Sequence, residues 1–374
     1  MKKLLSILSL AGIGLFAGNV SAQTDSPYKV LDTAKLMGNG GIDYVSVDND
    51  ERRVYVPRGG QTFIFDLDTH KYIGAITNIS GHGVAIDSKS HHGISSSPSL
   101  GMFDTETLQK IKSIDVPNRP DGILFEPLTE RVYVFSHAHP SVVVVDPRDG
   151  SIAGTVDIGD LTEQVHMEQA QSDGQGHVYA DIENEKKIAV IDANTLKVTA
   201  TYDLGATAGE PGGLGLDTKN HLLFAMCADP NVCVVVDANT GKVLDTLPIG
   251  DGTDSGGFNP STMEAWSSQR DGTLTIIKES SPTSFAVEQT VQTKPGCKTS
   301  ALDTKDNQIV LICTERLPQP AAAAGAPATT PPAPTVAPTH TDAGLPPAMN
   351  APGGGRARGG RGGPGNLDVL WVGR

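Results

Sequence analysis

Seven short segments of this chain end in an acidic residue or its amide at nearly equal intervals, and no other feature restricts the possible folds so strongly. IDYVSVD ends at Asp48, HGVAID at Asp87, DGILFE at Glu126, EQAQSD at Asp173, GGLGLD at Asp217, SGGFN at Asn259 and TSALD at Asp303. The spacings are 39, 39, 47, 44, 42 and 44 residues. They bracket the period of about 40–45 residues expected when each unit is one four-stranded blade.

The same grammar follows each segment. A turn leads to a second strand, as in RVYVP at 53–57, RVYVF at 131–135, HVYAD at 177–181 and LLFAM at 222–226. A third strand ends in Asp, as in TFIFD, SVVVVD, KIAVID and CVVVD. Next comes a polar turn, DLDTHK, DANTLK or DANTGK, whose Asp and Thr side chains can bond the turn backbone. A fourth strand such as YIGAI, VTATYDLG or KVLDTLPIG closes the unit.

The pentapeptide KVLDT appears twice, at 29–33 and at 242–246. The internal copy is the fourth strand of the fifth unit, so the N-terminal copy reads as a fourth strand with no strands before it. The C-terminal part has the converse lack: KTSALD, QIVLICT and LDVLWVG supply three strands without a fourth. Joining the two ends completes one blade and leaves no open edge. The expected fold is all-β, a seven-bladed β-propeller of four-stranded antiparallel blades, closed by an N-terminal strand. A parallel α/β fold is disfavoured, because no segment beyond the first 22 residues keeps a helical period.

Three segments divide the chain. Residues 1–22 read as an export signal: Lys2 and Lys3, an apolar run too short to span a bilayer, then Val20-Ser21-Ala22 at the cleavage site. The propeller occupies 23–316 and 366–374. Between them, 317–365 is rich in Pro and Ala, then in Gly and Arg, a composition that cannot bury enough apolar surface to fold. The expected location is periplasmic or secreted and the expected state a monomer. Cleavage removes two lysines and takes the net charge from −14 to −16, which argues against general nucleic-acid or anionic-membrane binding. Four cysteines in an exported chain predict two disulfides, Cys227–Cys233 and Cys297–Cys313, as staples across hairpins. No CxxC or zinc-type spacing is present.

The VYV second strand, the V-x-V-x-D third strand and the D-x-x-T-G-K turn resemble the YVTN-repeat, YncE-like β-propellers of bacterial exported proteins, over 28–316 and 366–374. The resemblance implies a seven-bladed exported propeller whose relatives are mostly non-enzymatic or uncharacterised, with ligand or partner binding proposed for some. These motifs are strand and turn chemistry, so they inform the fold more than the activity.

Function has to come from the channel. The residue five before each repeat anchor should stand at its mouth: Asp43, His82, Asp121, Glu168, Gly212, Asp254 and Lys298. Read plainly, this is a ring of polar groups serving the backbone at a solvated opening. Read more sharply, it is a polar-ligand or divalent-metal site with His82, Asp121 and Glu168 as ligands. Arg58, His137, His139, Asn184 and Arg270 lie in loops of the same face. A strand-like His137-x-His139 would turn both rings to one side, but Pro140 interrupts it, and its loop should stand roughly two strand spacings, about 10 Å, from the channel. The leading expectation is an exported propeller that binds a small polar ligand, a cation or a protein partner. The alternative is a metal-dependent lyase or lactonase on the same face. TDSGGF at 253–258 matches a protease nucleophile motif but aligns with the blade entrances. The RARGGRGG tract reads as a cationic arm able to reach the acidic mouth.

Overall fold

The computed structural model describes residues 27–159, 164–316 and 365–374. The expected export signal and the arm from 317 to 364 lie outside the described residues. Seven four-stranded sheets follow one another around a ring, each in the order first to fourth strand from the axis outward. Blade one comprises Ser46–Asp48, Arg53–Arg58, Gln61–Asp66 and Tyr72–Thr77, and blades two to six repeat the pattern up to Ser284–Gln292. In blade seven, Cys297–Asp303, Gln308–Arg316 and Gly365–Gly373 are completed by Lys29–Gly38 from the other end of the chain. Val30 pairs with Val372 and Ala34 with Val369.

The turn chemistry fixes the register of the outer hairpins. The Oδ1 of Asp66 accepts from the Thr69 amide and hydroxyl, both at 2.7 Å, and Asp104–Thr107 and Asp192–Thr195 repeat the arrangement. The fifth turn residue is left-handed each time: His70, Leu108, Gly150, Leu196 and Gly241 all have positive φ. That is the geometry of a type I turn closed by a bulge.

The core lies between blades, not within a central layer. Val132 and Val134 pack toward blade two, whereas Tyr133 and Phe135 pack toward blade four, so alternation along one strand serves two interfaces. Closure uses the same physics. Val310, Ile312, Val369 and Trp371 of blade seven share a cluster with Val54, Phe63 and Phe65 of blade one.

Of the two expected disulfides, only Cys297–Cys313 forms, across directly paired positions. The expectation for Cys227–Cys233 is corrected. Cys227 pairs with Val232, and Cys233 with Met226. This offset of one residue puts the sulfurs on opposite sheet faces, in the blade four–five and blade five–six clusters respectively.

Candidate functional site

The ring residues reach the mouth because the first strands are irregular there. In blades three to seven the pairing of first and second strands shifts at 120–123, 167–170, 211–213, 253–255 and 297–300. Asp121, Glu168, Gly212, Asp254 and Lys298 each lie inside such a shift. A bulge takes a residue out of the pleat and re-aims its side chain. Here it turns five strand residues toward the axis.

The side chains form a chain of alternating bases and acids. Arg270 Nη2 lies 2.8 Å from Asp254 Oδ2, and Lys298 Nζ lies 3.1 Å from the same oxygen. Lys298 also bonds Asp43 Oδ1. Asp43 Oδ2 is 2.5 Å from His82 Nδ1, which is 3.2 Å from Asp121 Oδ1. Asp121 Oδ2 and Glu168 Oε1 each stand 3.1 Å from His137 Nε2. The chain ends where the Tyr44 hydroxyl donates to Glu168 Oε2 at 2.9 Å. Gly212 contributes no side chain, so the ring is interrupted at blade five.

Charge balance sets the protonation. Burial and the adjacent Glu168 push Asp121 up to about 7, against the pull of His82. Burial would raise Asp43 as well, but the Lys298 ammonium and His82 bring it down to about 2. The hydrogen bond to Asp43 raises His82. His137 is also raised: burial opposes the imidazolium, but Glu168 and Asp121 outweigh it. Burial beside Glu168 lifts the Tyr44 phenol well above its ordinary value, so it remains a donor. The least covered member is His82, whose side chain is 45% exposed, and this marks the open side of the mouth.

The ring therefore brings together Asp43, His82, Asp121, Glu168, Asp254 and Lys298, with Arg270 and His137 added from loops. The expected metal set His82, Asp121 and Glu168 is divided. Asp43, His82 and Asp121 make one three-ligand group and Asp121, His137 and Glu168 another, each with its atoms within 4.8 Å of one another. His137 was expected about two strands from the channel; residues 137–140 are instead a bend, which swings its ring inward. His139 goes elsewhere, to Asp157 at 3.1 Å, so the two rings do not share a side. Arg58 is only 2% exposed and donates to the carbonyls of Gly38, Gly40 and Gly365, where the chain ends meet. Asn184 links Gln164 and His166 within its own blade.

Two contributors escaped the sequence reading. After each ring residue stand Tyr44, Gly83, Gly122, Gln169, Gly213, Ser255 and Thr299. Only Tyr44 and Gln169 are large there, and that contrast was readable. Gln169 crosses to blades five and six: its Oε1 accepts from Leu214 and Gly256 amides at 3.1 and 3.0 Å, and its Nε2 donates to Gly256 O at 2.9 Å. Glycine is needed on those strands, since a Cβ at Gly213 would meet Gly256 N at 2.5 Å. Below the mouth, a cavity of about 330 Å³ is lined by Tyr44, Glu168, Gln169, Trp266 and Ser300 among others.

No family profile matches the chain, and no curated protein matches its sequence. Solved structures do. A chain of the structure described as the mitotic checkpoint complex aligns with TM-score 0.63 and 12% identity, over 83% of this chain and 95% of that one. The structure described as U3-55K aligns with TM-score 0.64 and 11% identity, over 76% and 92% respectively. At such identities the likeness is one of fold alone, that of a β-propeller.

Proposed function

We propose that the protein is an exported binding propeller of the YVTN-repeat type whose channel mouth holds a small ligand bearing positive charge, a metal cation or an amine. One observation carries this reading: four carboxylates, Asp43, Asp121, Glu168 and Asp254, converge where, among the described residues, only Lys298 and Arg270 bring permanent positive charge. Without a ligand, protons on His82, His137 and Asp121 make up the difference, which is why all three are held above their ordinary values, and a bound cation would take the place of those protons. Export rests on residues 1–22 and accords with the Cys297–Cys313 bond. Among the described residues no helix is long and apolar enough to cross a membrane.

The test is calorimetric titration of the mature protein with Mg²⁺, Mn²⁺, Zn²⁺, putrescine and betaine at pH 7.5. At least one should bind, more weakly at high salt, and Asp121→Asn should abolish it. Silence across the panel with the wild-type protein overturns the reading. A second reading, a metal-dependent lyase or lactonase, is favoured by the His–carboxylate triads, since three protein ligands leave positions open for water and substrate.

A further inference from the structure

The two triads at the mouth are related in a way that a simple charged ring does not require. Each holds one histidine nitrogen and one terminal carboxylate, and they share Asp121. The shared residue presents a different oxygen to each: Oδ1 to His82 and Oδ2 to His137. The terminal carboxylates are also used alike. Asp43 gives Oδ1 to Lys298 and Glu168 gives Oε2 to the Tyr44 hydroxyl, leaving Asp43 Oδ2 and Glu168 Oε1 turned inward. With one oxygen of each held by an outside donor, the other faces its histidine, Asp43 Oδ2 at 2.5 Å from His82 Nδ1 and Glu168 Oε1 at 3.1 Å from His137 Nε2, as when outer-shell donors orient metal-binding carboxylates.

Two further observations bear on the second triad. The Nε2 of His137 is buried and has two carboxylate oxygens, Asp121 Oδ2 and Glu168 Oε1, both at 3.1 Å. The nitrogen and the two oxygens lie within 4.8 Å of one another, a spacing that a single ion could bridge. Asp181 lies across the strand pair from the Glu168–Gln169 bulge and is fully buried, and neither of its oxygens has a hydrogen-bond partner among the described residues. The same strand position in the other blades holds Pro57, Ser96, Phe135, Met226, Ser268 and Ile312. A carboxyl in that place beside Glu168 is costly unless something nearby compensates it.

We propose that the mouth is a dinuclear site for borderline divalent cations, in which Asp121 bridges one ion held with Asp43 and His82 and a second held with His137 and Glu168. The proposal rests on the cation-binding reading above and narrows it. Mixed imidazole and carboxylate donors suit Zn²⁺ or Mn²⁺ better than Ca²⁺, which takes oxygen alone. Two ions joined by a carboxylate, each with open positions, form the usual clamp for a bridging oxygen ligand. Both histidines must be neutral to coordinate, so loading the site releases protons.

The experiment uses the full mature chain, stripped with chelator and dialysed against Mn²⁺ or Zn²⁺, with metal counted per chain. The wild-type protein should hold two ions. His82→Gln and His137→Gln should each leave one, and the isosteric Asp121→Asn should weaken both by more than about a hundredfold, beyond the usual loss for an outer-shell partner. Electron paramagnetic resonance of the Mn²⁺ form should show a coupled pair in the wild-type protein and an isolated ion in His82→Gln. Tryptophan fluorescence confirms that each variant is folded. One ion in the wild-type protein, or two independent uncoupled ions, overturns the bridged site but leaves cation binding standing. Binding of putrescine or betaine without either metal does the same, whereas binding of nothing in the panel defeats both readings.

Discussion

Replacing Asp121 by Asn should make the metal-free protein more stable, and by an amount that depends on pH. The carboxyl titrates near 7 in the fold, compared with 3.8 when unperturbed, because burial and the facing Glu168 and Asp43 outweigh the opposing pull of His82 and His137. That rise corresponds to roughly 4 kcal/mol between the two protonation states. The sign follows from proton counting. Between pH ~4 and ~7 the folded state keeps a proton that the unfolded chain has released, so stability falls as pH rises through that window. From pH 5 to pH 8 the wild-type protein should lose roughly 3 kcal/mol through this group, and an amide, which mimics the protonated acid, should lose none. His82 and His137 have raised pKa values, so they too contribute less as pH rises, but in the variant they retain Asp43 and Glu168 as partners. Urea unfolding in chelator-treated buffer, followed by the buried Trp266 and Trp371, measures this directly. Equal stability differences between wild type and variant at pH 5 and pH 8 would refute the reasoning, as would a variant less stable than wild type at pH 8.

Two further outcomes test the frame around the site. Arg58→Met should cost about 3 kcal/mol, because three buried carbonyls at the chain closure lose their donor. Ligand affinity per folded molecule should stay unchanged, and a stable variant that has lost binding would instead place Arg58 in the ligand site. A thiol reagent should find no reactive cysteine in the native protein, two in urea and four in urea with reductant. Four without reductant would deny the Cys297–Cys313 bond, and none would deny the opposed faces of Cys227 and Cys233.

The parts of this molecule that sequence made legible are those set by period. Blade count, the completion of blade seven by Lys29–Gly38 and the Asp–Thr turns all follow from repeated spacing, and so do the positions of Asp43 to Lys298 around the mouth. The parts that stayed hidden depend on single residues that break the period. Strand spacings put His137 away from the channel only if the chain continues as a strand; the bend at 137–140 removes that premise. Asp181 and Gln169 differ from their counterparts in the other blades, but a difference at one position says nothing of direction until the strand is placed. Cys227 and Cys233 flank a turn as Cys297 and Cys313 do, yet a slip of one residue decides whether two sulfurs meet or face apart.

That slip links the site to the framework. In blade seven, Asp303 pairs with Gln308 and Ser300 with Leu311, and an unbroken continuation would set Cys297 opposite Thr314. The bulge at Lys298 and Thr299 absorbs one residue and brings Cys297 opposite Cys313 instead. The same extra residue turns Lys298 to Asp43 and Asp254, and lets the Thr299 hydroxyl bond the Asp43 carbonyl and accept from the Val45 amide. Blade seven is also where the chain ends meet, so the bulge, the disulfide and the ring closure reinforce one another. Blade five carries a comparable bulge around Gly212 without a charged side chain or a disulfide, and there Gln169 from blade four ties the strands together. The propeller thus places Asp121, Glu168 and Asp254 by a local fault in strand pairing repeated around the axis, and it stiffens that fault with a covalent bond in the blade that closes the ring.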